Sequence, residues 1–284
     1  MTLRTRAAYA VRSVLAPKGL GYLGDPKDDR DRPFDALGLP SSDLPGTCLP
    51  LPDDLEYRYR LHQGSSNTCV AQALCGALFN QALVHALRHG STVDELLAVP
   101  AKPLQSRSFV YRNSFLYNGL PVRDRGTYIR AACEAHRRLG APDEGVWAFR
   151  PADVLREPSP AARAAGFARR LGDYHRIWDR GSALILALRA AIASDLFPVF
   201  GIDWPQSMMG DVGPSQVTVP DPNDPIIGGH ALHATGYRRR SNGQTEFWVV
   251  NSYGRGWRDG GGFWMHEDWM RQARDVWTVR ARNA

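Results

Sequence analysis

The segment Cys69–Arg88 limits the possible folds more than any other part of the chain. Apolar residues recur there at helical spacing, as at Val70 and Leu74, and small residues fill much of the remainder. A helix that is apolar on nearly every side must be covered by the rest of the protein. Residues 66–68 are Ser, Asn and Thr, which are favoured types for a helix N-cap. We therefore predict a buried central helix that begins at Cys69.

Helical patterns dominate the first part of the chain, and strand patterns dominate the last part. Further helices are predicted at Tyr128–Leu139 and Ser182–Ser194, with Ala- and Arg-rich helical turns over 151–180. Short aromatic and β-branched runs between Gly, Pro and Asn clusters then predict strands. These runs are Phe197–Ile202, Ala231–Tyr237, Glu246–Asn251, Gly262–His266 and Val276–Arg280. The order predicts an α+β fold with a helical lobe over about 66–180 and a β lobe over about 181–284.

The charge pattern does not indicate a nucleic-acid partner. The formal net charge is +6, but the basic residues are spread along the chain among acidic ones and form no stripe with aromatic residues. No uninterrupted apolar run approaches the roughly 18 residues that span a bilayer. The first residues also lack a clear signal-peptide cleavage site. We expect a cytoplasmic protein that binds neither nucleic acid nor a membrane, and the sequence does not indicate its oligomeric state.

Four widely spaced cysteines, Cys48, Cys69, Cys75 and Cys133, predict neither a disulfide framework nor a metal site, because no CxxC or HExxH motif occurs. We expect no metal and no cofactor. A cysteine attacks as its thiolate, and a helix N-terminus or a nearby imidazolium lowers its pKa. Cys69 stands at the predicted start of the buried helix, after the small polar turn 63–68. It is therefore the candidate nucleophile, whereas Cys75 and Cys133 are expected to be buried structural residues.

Three segments of the chain carry a recognisable set of motifs. Gln63–Cys69 reads QGSSNTC, and Gly228–Ala231 reads GGHA. The third segment, Phe247–Gly261, reads FWVVNSYGRGWRDGG. In this order they resemble the Q-G-x-C-G-S-C-W segment, the histidine strand and the W-x-x-K-N-S-W-G-x-x-W-G-x-x-G segment of the papain family of cysteine peptidases. The resemblance covers roughly residues 45–284, and Arg125–Tyr128 adds a weaker echo of the G-G-Y motif that lines the family's substrate cleft.

The resemblance implies a papain-like two-lobed fold, with a helical lobe built around the helix that starts at the nucleophile and an antiparallel β lobe. It implies that Cys69 is the nucleophile, that His230 is its base and acid, and that Asn251 holds the imidazole ring. The side-chain amide of Gln63 and the backbone N–H of Cys69 would form the oxyanion hole. The implied activity is hydrolysis of peptide bonds in a peptide or protein substrate, through an acyl-enzyme.

The resemblance also implies substrate-binding positions at Gly126, Gly229 and Trp257, with Trp257 shielding the Asn251–His230 hydrogen bond from water. Some family residues are replaced here. Ser66 stands where the family has a cysteine, and Val70 and Tyr253 stand where it has tryptophans. These changes affect the expected cleft shape and substrate preference, not the expected chemistry.

Residues 1–45 are rich in Gly, Pro and Asp, show little periodicity and predict an extended arm, while residues 46–284 are predicted to form the peptidase domain. We predict that part of this arm packs over or beside the cleft and regulates access. The alternative is an arm that braces the back of the β lobe. Cys69 and His230 are expected to titrate as a thiolate–imidazolium pair, with a lowered thiol pKa and a raised imidazole pKa.

Two other functions use the same residues. One is a non-catalytic peptide-binding module with a papain-like cleft. The presence of Gln63, Cys69, His230 and Asn251 together argues against it, since a decayed site should have lost one of them. The other is a thiol acyltransferase or transamidase, which passes through the same acyl-enzyme but transfers the acyl group to an amine.

Overall fold

The computed structural model describes residues 19–34, 43–98, 104–210, 217–219 and 221–282. The helices are α1 (Asp53–Arg58), α2 (Cys69–Arg88), α3 (Val93–Ala98), α4 (Arg107–Ser114), α5 (Ile129–Leu139), α6 (Pro160–Phe167), α7 (Gly181–Ala193) and α8 (Glu267–Met270). The strands are β1 (Thr47–Cys48), β2 (Leu171–Ile177), β3 (Val199–Pro205), β4 (Ile226–Arg239), β5 (Thr245–Val250), β6 (Gly262–His266) and β7 (Arg274–Ala281).

Helix α2 begins at Cys69 as predicted and is buried along most of its length. It is long and apolar enough to cross a membrane, but most of its apolar stretch lies inside the protein, against β4, α4 and α5. Thr68 is its N-cap residue, yet the Thr68 side chain makes no capping hydrogen bond. Its hydroxyl instead accepts a hydrogen bond from Gln72 Nε2 at 3.1 Å. The predicted position of the N-cap is therefore correct, but the capping hydrogen bond expected from its side chain is not formed.

The strands form one antiparallel sheet in the order β2-β7-β3-β4-β5-β6, and β1 pairs with β4. Each predicted strand is confirmed, most of them with longer bounds. Strand β2 was missed, because its segment lies within 151–180, where we predicted helical turns and where only α6 and a short 3-10 turn are helical. Its alternate residues Asp173 and His175 are polar, and they are tolerated because β2 lies at the edge of the sheet, with β7 as its neighbouring strand.

Helices precede most of the sheet in the chain, so the α+β prediction is confirmed. The boundary of the two lobes near residue 180 stays a prediction. Strand β2 joins the sheet from inside the range 66–180, whereas α7, beyond that boundary, packs on β4. The feature that matters for the site is the packing of α2 on β4, since it brings the start of a helix from one lobe against the central strand of the other.

The later part of the described arm runs beside β2. The Phe34 N–H donates to the carbonyl of Arg176 at 2.8 Å, and the Arg176 N–H donates to the carbonyl of Arg32 at 2.7 Å. The Arg176 and Arg130 guanidiniums both pair with the Asp31 carboxylate, which is 3% exposed. Hydrogen bonds and ion pairs therefore hold this part of the arm against the edge of the sheet. This position agrees with the alternative prediction, in which the arm braces the β lobe.

Candidate active site

Cys69 and His230 come together where α2 packs on β4. Cys69 is the first residue of α2, and His230 lies in β4 opposite Ile202 of β3. Both side chains are 0% exposed. The backbone N–H of Ala231, the residue after His230, lies close enough to the Cys69 sulfur to lower the pKa of this thiol. The predicted nucleophile and the predicted base therefore belong to one site.

Asn251 holds the His230 ring by one nitrogen. Asn251 follows β5, and its side-chain oxygen lies 2.8 Å from His230 Nε2. Because an amide oxygen only accepts hydrogen bonds, Nε2 carries the proton, and the neutral ring has its lone pair on Nδ1. His230 Nδ1 is buried and makes no hydrogen bond within the described part of the chain. The arrangement leaves one nitrogen of the imidazole available as a base.

Aromatic rings enclose the imidazole. The rings of Trp204 and Tyr253 lie 4.5 Å and 5.0 Å from the His230 ring, centroid to centroid. Trp257 is 1% exposed and packs edge-on against Tyr253 at 5.6 Å. The rings in direct contact with His230 are thus Trp204 and Tyr253, and the role of Trp257 in substrate binding stays a prediction.

Trp204 was missed by the sequence reasoning. It lies on β3 two residues beyond Ile202, which pairs with His230, so strand alternation places both on the same face of the sheet. The predicted strand ended at Ile202. A prediction that continued the strand to Trp204 would have placed this residue on the same face of the sheet as His230. A single tryptophan before Pro205 carries no motif that marks it as part of the site.

Gln63 is completely buried and held in one orientation. Its side-chain oxygen accepts a hydrogen bond from the Ser252 hydroxyl at 2.5 Å. Its side-chain nitrogen donates to the carbonyl of Ser66 at 2.6 Å and to the carbonyl of Gly19, in the arm, at 3.0 Å. The structure therefore gives Gln63 a fixed amide that contacts the arm, and its role as an oxyanion donor stays a prediction.

The first part of the described arm lies directly on Cys69. The backbone N–H of Gly21 donates to the Cys69 sulfur at 3.2 Å, and the N–H of Leu20 donates to Asn67 Oδ1 at 3.1 Å. A β-carbon added to Gly19 would lie 2.0 Å from the carbonyl oxygen of Ser66, and one added to Gly21 would lie 1.9 Å from that of Asn67. Only glycine fits at these two arm positions.

The same segment is bound on both sides. On one side, Thr127 N donates to the Gly21 carbonyl at 2.9 Å and Leu23 N donates to the Thr127 carbonyl at 3.2 Å. On the other, Tyr22 N donates to the Gly229 carbonyl at 3.2 Å. Residues 19–23 therefore lie over Cys69, in the groove between Thr127 and Gly229. The predicted regulation of substrate access by the arm stays a prediction.

Gly126 and Gly229, the two predicted substrate-binding glycines, line this groove. A β-carbon on Gly126 would lie 2.2 Å from the carbonyl oxygen of Gly21, and one on Gly229 would lie 2.3 Å from that of Tyr22. Gly126 also has a φ of +98°, a conformation that favours glycine. Both positions allow an extended peptide backbone to approach closely, which is the property that a peptide-binding groove needs.

Burial under the arm changes the protonation of the pair. Loss of solvent raises the pKa of the Cys69 thiol to about 11, although hydrogen bonds from backbone N–H groups oppose this. Burial also lowers the pKa of His230 to about 4, opposed by the Asn251 hydrogen bond. The expected thiolate–imidazolium pair is therefore wrong for the arm-bound protein. With the arm in place, burial favours the neutral thiol of Cys69 and the neutral imidazole of His230 at pH 7.

The cysteines and the acidic residues show no sign of a metal centre. The structure describes all four cysteines, and all are free thiols, with Cys75 and Cys133 buried as expected. Within the described ranges, no group of three or more His, Cys, Asp or Glu side chains could hold a metal ion. The chemistry available to the site is that of a thiol, an imidazole and amide donors.

The chain has the fold of papain-like cysteine protease structures. Xylellain, a cysteine protease from Xylella fastidiosa, matches with a TM-score of 0.75 and 24% identity over 93% of this chain and 97% of that chain. Digestive procathepsin L 3 of Tenebrio molitor larval midgut matches with a TM-score of 0.63 and 15% identity over 97% and 79%. The bromelain protease from Ananas comosus in complex with the E64 inhibitor matches with a TM-score of 0.55 and 16% identity over 83% and 99%. No protein-family model and no curated protein matches the chain.

Proposed function

We propose that the protein is a cysteine peptidase that cleaves peptide bonds through an acyl-enzyme on Cys69. The observation that carries the proposal is the hydrogen bond from His230 Nε2 to Asn251 Oδ1, at 2.8 Å. It orients the imidazole so that its other nitrogen is the free base, beside a thiol at the start of a helix. The position of Cys69 at the start of a helix, near the residue that follows His230, supports the pairing of nucleophile and base.

The mechanism uses the residues as follows. His230 Nδ1 takes the proton of the Cys69 thiol, and the sulfur attacks the carbonyl carbon of the substrate. The oxyanion that forms is bound by the side-chain N–H of Gln63 and the backbone N–H of Cys69. The intermediate then collapses, and the amine leaves with the proton from His230. Water attacks the resulting thioester, with His230 again as the base, and releases the acid and the thiol.

We further propose that residues 19–23 keep this site latent. The Cys69 sulfur accepts a hydrogen bond from the Gly21 N–H, so it contacts an atom that it cannot attack. The Gly19 carbonyl occupies the Gln63 donor, and the arm backbone occupies the hydrogen-bonding groups of the groove. A substrate must displace this segment, and its displacement returns solvent to Cys69 and His230. The thiolate–imidazolium pair is then expected in the open site.

The peptidase function predicts that Cys69 alone among the four thiols is labelled by an epoxide-type thiol-protease inhibitor. The parent chain should also release fragments from an unfolded protein substrate, and Cys69→Ala should release none. Cys48→Ala is the matched control, since Cys48 is a partly exposed thiol outside the site. Mass spectrometry with and without an added amine separates hydrolysis from acyl transfer. Labelling of Cys75 or Cys133 in preference to Cys69, or fragments from Cys69→Ala, would refute the assignment.

The arm should bind less tightly above about pH 8.5. Burial raises the Cys69 pKa to about 11, from about 8.5 for a free thiol, so arm binding is favoured below pH 8.5 and this contribution is lost as the pH rises towards 11. Burial raises the pKa of the Tyr22 hydroxyl as well, which acts in the same direction. The Cys69 contribution alone should weaken arm binding about 30-fold between pH 7 and pH 10.

In acid, two groups oppose each other. The pKa of His230 is lowered to about 4 by burial. In acid, where the thiolate–imidazolium pair of the released site takes up a second proton, protonation therefore favours release. Burial raises the pKa of Asp25, in the arm, to about 6, so its protonation below that pH favours binding. We therefore expect arm binding to change little in acid and to weaken strongly at alkaline pH. Hydrogen exchange of residues 19–25, corrected for the intrinsic rate, measures both. Cys69→Ala should lose most of the alkaline increase, and an unchanged increase in that variant would contradict the explanation.

A further inference from the structure

The side chain of Tyr22 fills a pocket of its own beside the groove. Tyr22 is 5% exposed, and its ring lies over two glycines of neighbouring strands, Gly201 in β3 and Gly229 in β4. A β-carbon on Gly201 would lie 2.0 Å from the ring atom Cζ, and one on Gly229 would lie 2.9 Å from Cδ1. The absence of both side chains therefore creates a space that a planar ring occupies.

A carboxylate closes the base of this pocket. The Tyr22 hydroxyl donates to Asp275 Oδ2 at 2.5 Å, and Asp275 is 7% exposed. The same oxygen accepts a hydrogen bond from the Asp25 N–H at 2.6 Å. The other oxygen, Oδ1, accepts from the guanidinium of Arg176, which is 6% exposed. The pocket thus ends in a buried hydrogen-bond acceptor whose negative charge is already balanced by an arginine.

The pocket adjoins the reacting groups. Gly229 directly precedes His230, and Gly201 pairs with Ala231, whose N–H lies close enough to the Cys69 sulfur to lower its pKa. Tyr22 directly follows Gly21, whose N–H donates to that sulfur. When the arm leaves, Tyr22 and Asp25 leave with it, and Asp275 Oδ2 loses both of its donors. Arg176 belongs to β2 and keeps its ion pair with Oδ1, although it also pairs with Asp31 of the arm.

We propose that the pocket formed by Gly201, Gly229 and Asp275 is a specificity site that selects tyrosine side chains in substrates, and that Tyr22 of the arm occupies it as a mimic. The proposal rests on the peptidase function and names the side chain that this function prefers. A tyrosine matches the pocket in length, in its flat ring and in its terminal donor. It would restore the hydrogen bond to Asp275 Oδ2 that release of the arm breaks.

Two competing side chains fit less well. Phenylalanine fills the same space but leaves a buried carboxylate oxygen without a donor, which costs about 1–3 kcal/mol. A site that hydrogen-bonds a substrate hydroxyl rejects the analogue lacking it for this reason. Lysine or arginine would bring a second cation towards Arg176, and Asp275 balances only one. We expect tyrosine to be preferred over phenylalanine by roughly 10- to 100-fold in kcat/KM, and over arginine as well.

The cleavage test uses the full chain and two substrates that differ only in the phenolic hydroxyl. A peptide library first identifies the substrate position at which the chain discriminates side chains, and matched fluorogenic peptides then carry Tyr or Phe there. The arm competes equally with both peptides, so the ratio of their kcat/KM values does not depend on how often the arm is bound. A ratio of 10 or more supports the proposal, and a ratio near 1 at every position overturns it.

A variant and a binding measurement complete the test. Asp275→Asn should lower the Tyr/Phe ratio mainly through the Tyr substrate, and asparagine tolerates the φ of +48° at this position. Synthetic peptides of residues 19–28, with Tyr or Phe at position 22, are also titrated into the Cys69→Ala chain by calorimetry. Equal affinities overturn the proposal. Tighter binding of the Tyr peptide together with no cleavage of any substrate supports the pocket and refutes the peptidase function instead.

Discussion

Replacing Gly21 with alanine is expected to release the arm and raise the reactivity of Cys69 by at least about 100-fold. A β-carbon at this position would lie 1.9 Å from the carbonyl oxygen of Asn67, a backbone atom that cannot move aside without disturbing the start of α2. Release lets the Cys69 pKa fall from about 11 towards 8.5 or below. At pH 7.5 that change alone multiplies the thiolate fraction by about 300, before any gain in access is counted.

The measurement is the rate of iodoacetamide modification at Cys69, followed by peptide mass spectrometry at pH 7.5. Gly46→Ala is the matched control, because a β-carbon there would meet nothing within 4 Å. Tyr22→Ala, which empties the pocket over Gly201 and leaves the cleft wall untouched, should act in the same direction. Equal rates in the parent, Gly21→Ala and Tyr22→Ala would show that the arm does not protect Cys69. Circular dichroism checks that each variant keeps its fold.

Replacing His230 with alanine in the Gly21→Ala chain is expected to lower kcat by roughly four orders of magnitude or more. The variant loses the group that takes the Cys69 proton and the cation that stabilises the thiolate. Without that cation the thiol should titrate near 8.5, as an ordinary cysteine does. Asn251→Ala should have a smaller effect, since it leaves the imidazole in place and removes only the hydrogen bond that orients it.

The pH dependence of Cys69 alkylation, measured in the open Gly21→Ala chain, separates the two roles of His230. Reactivity should persist well below pH 8 while His230 is present, and should shift to higher pH in the His230→Ala variant. His175→Ala is the control, because His175 lies on the edge strand β2 away from the site. Superimposable profiles with and without His230 would mean that the imidazole does not act on the sulfur, and the proposed mechanism would be lost.

The sequence alone was enough to identify the proposed nucleophile, because the relevant signals are local. The apolar repeat of Cys69–Arg88 determines a buried helix, and the polar turn before it determines where that helix starts. The predicted strands follow from runs of aromatic and β-branched residues, and they place His230 within β4 and Asn251 directly after the neighbouring strand β5. Gly126 and Gly229 were predicted from motifs, and both line the groove that the arm occupies.

Strand β2 and the ring cluster around His230 required the tertiary structure. The polar and apolar residues of the segment 171–177 predict no clear helix or strand. The segment forms a strand because β7 supplies hydrogen bonds along one edge. Trp204 becomes part of the site only through the pairing of β3 with β4, which sets its ring against the imidazole. Both depend on contacts between distant segments, which a local pattern does not encode.

The path of the arm and the protonation of the site were decided only by the fold. Residues 19–23 have no periodicity, and they are held mainly by backbone hydrogen bonds to residues such as Thr127 and Gly229, more than 100 positions away. Backbone groups are the same in every residue, so such pairings leave little trace in the sequence. The motifs in the sequence identified the thiol and the imidazole that we propose as the reacting pair. Burial beneath the arm determined that both are neutral, because the free energy of a charge depends on the solvent around it rather than on its neighbours in the chain.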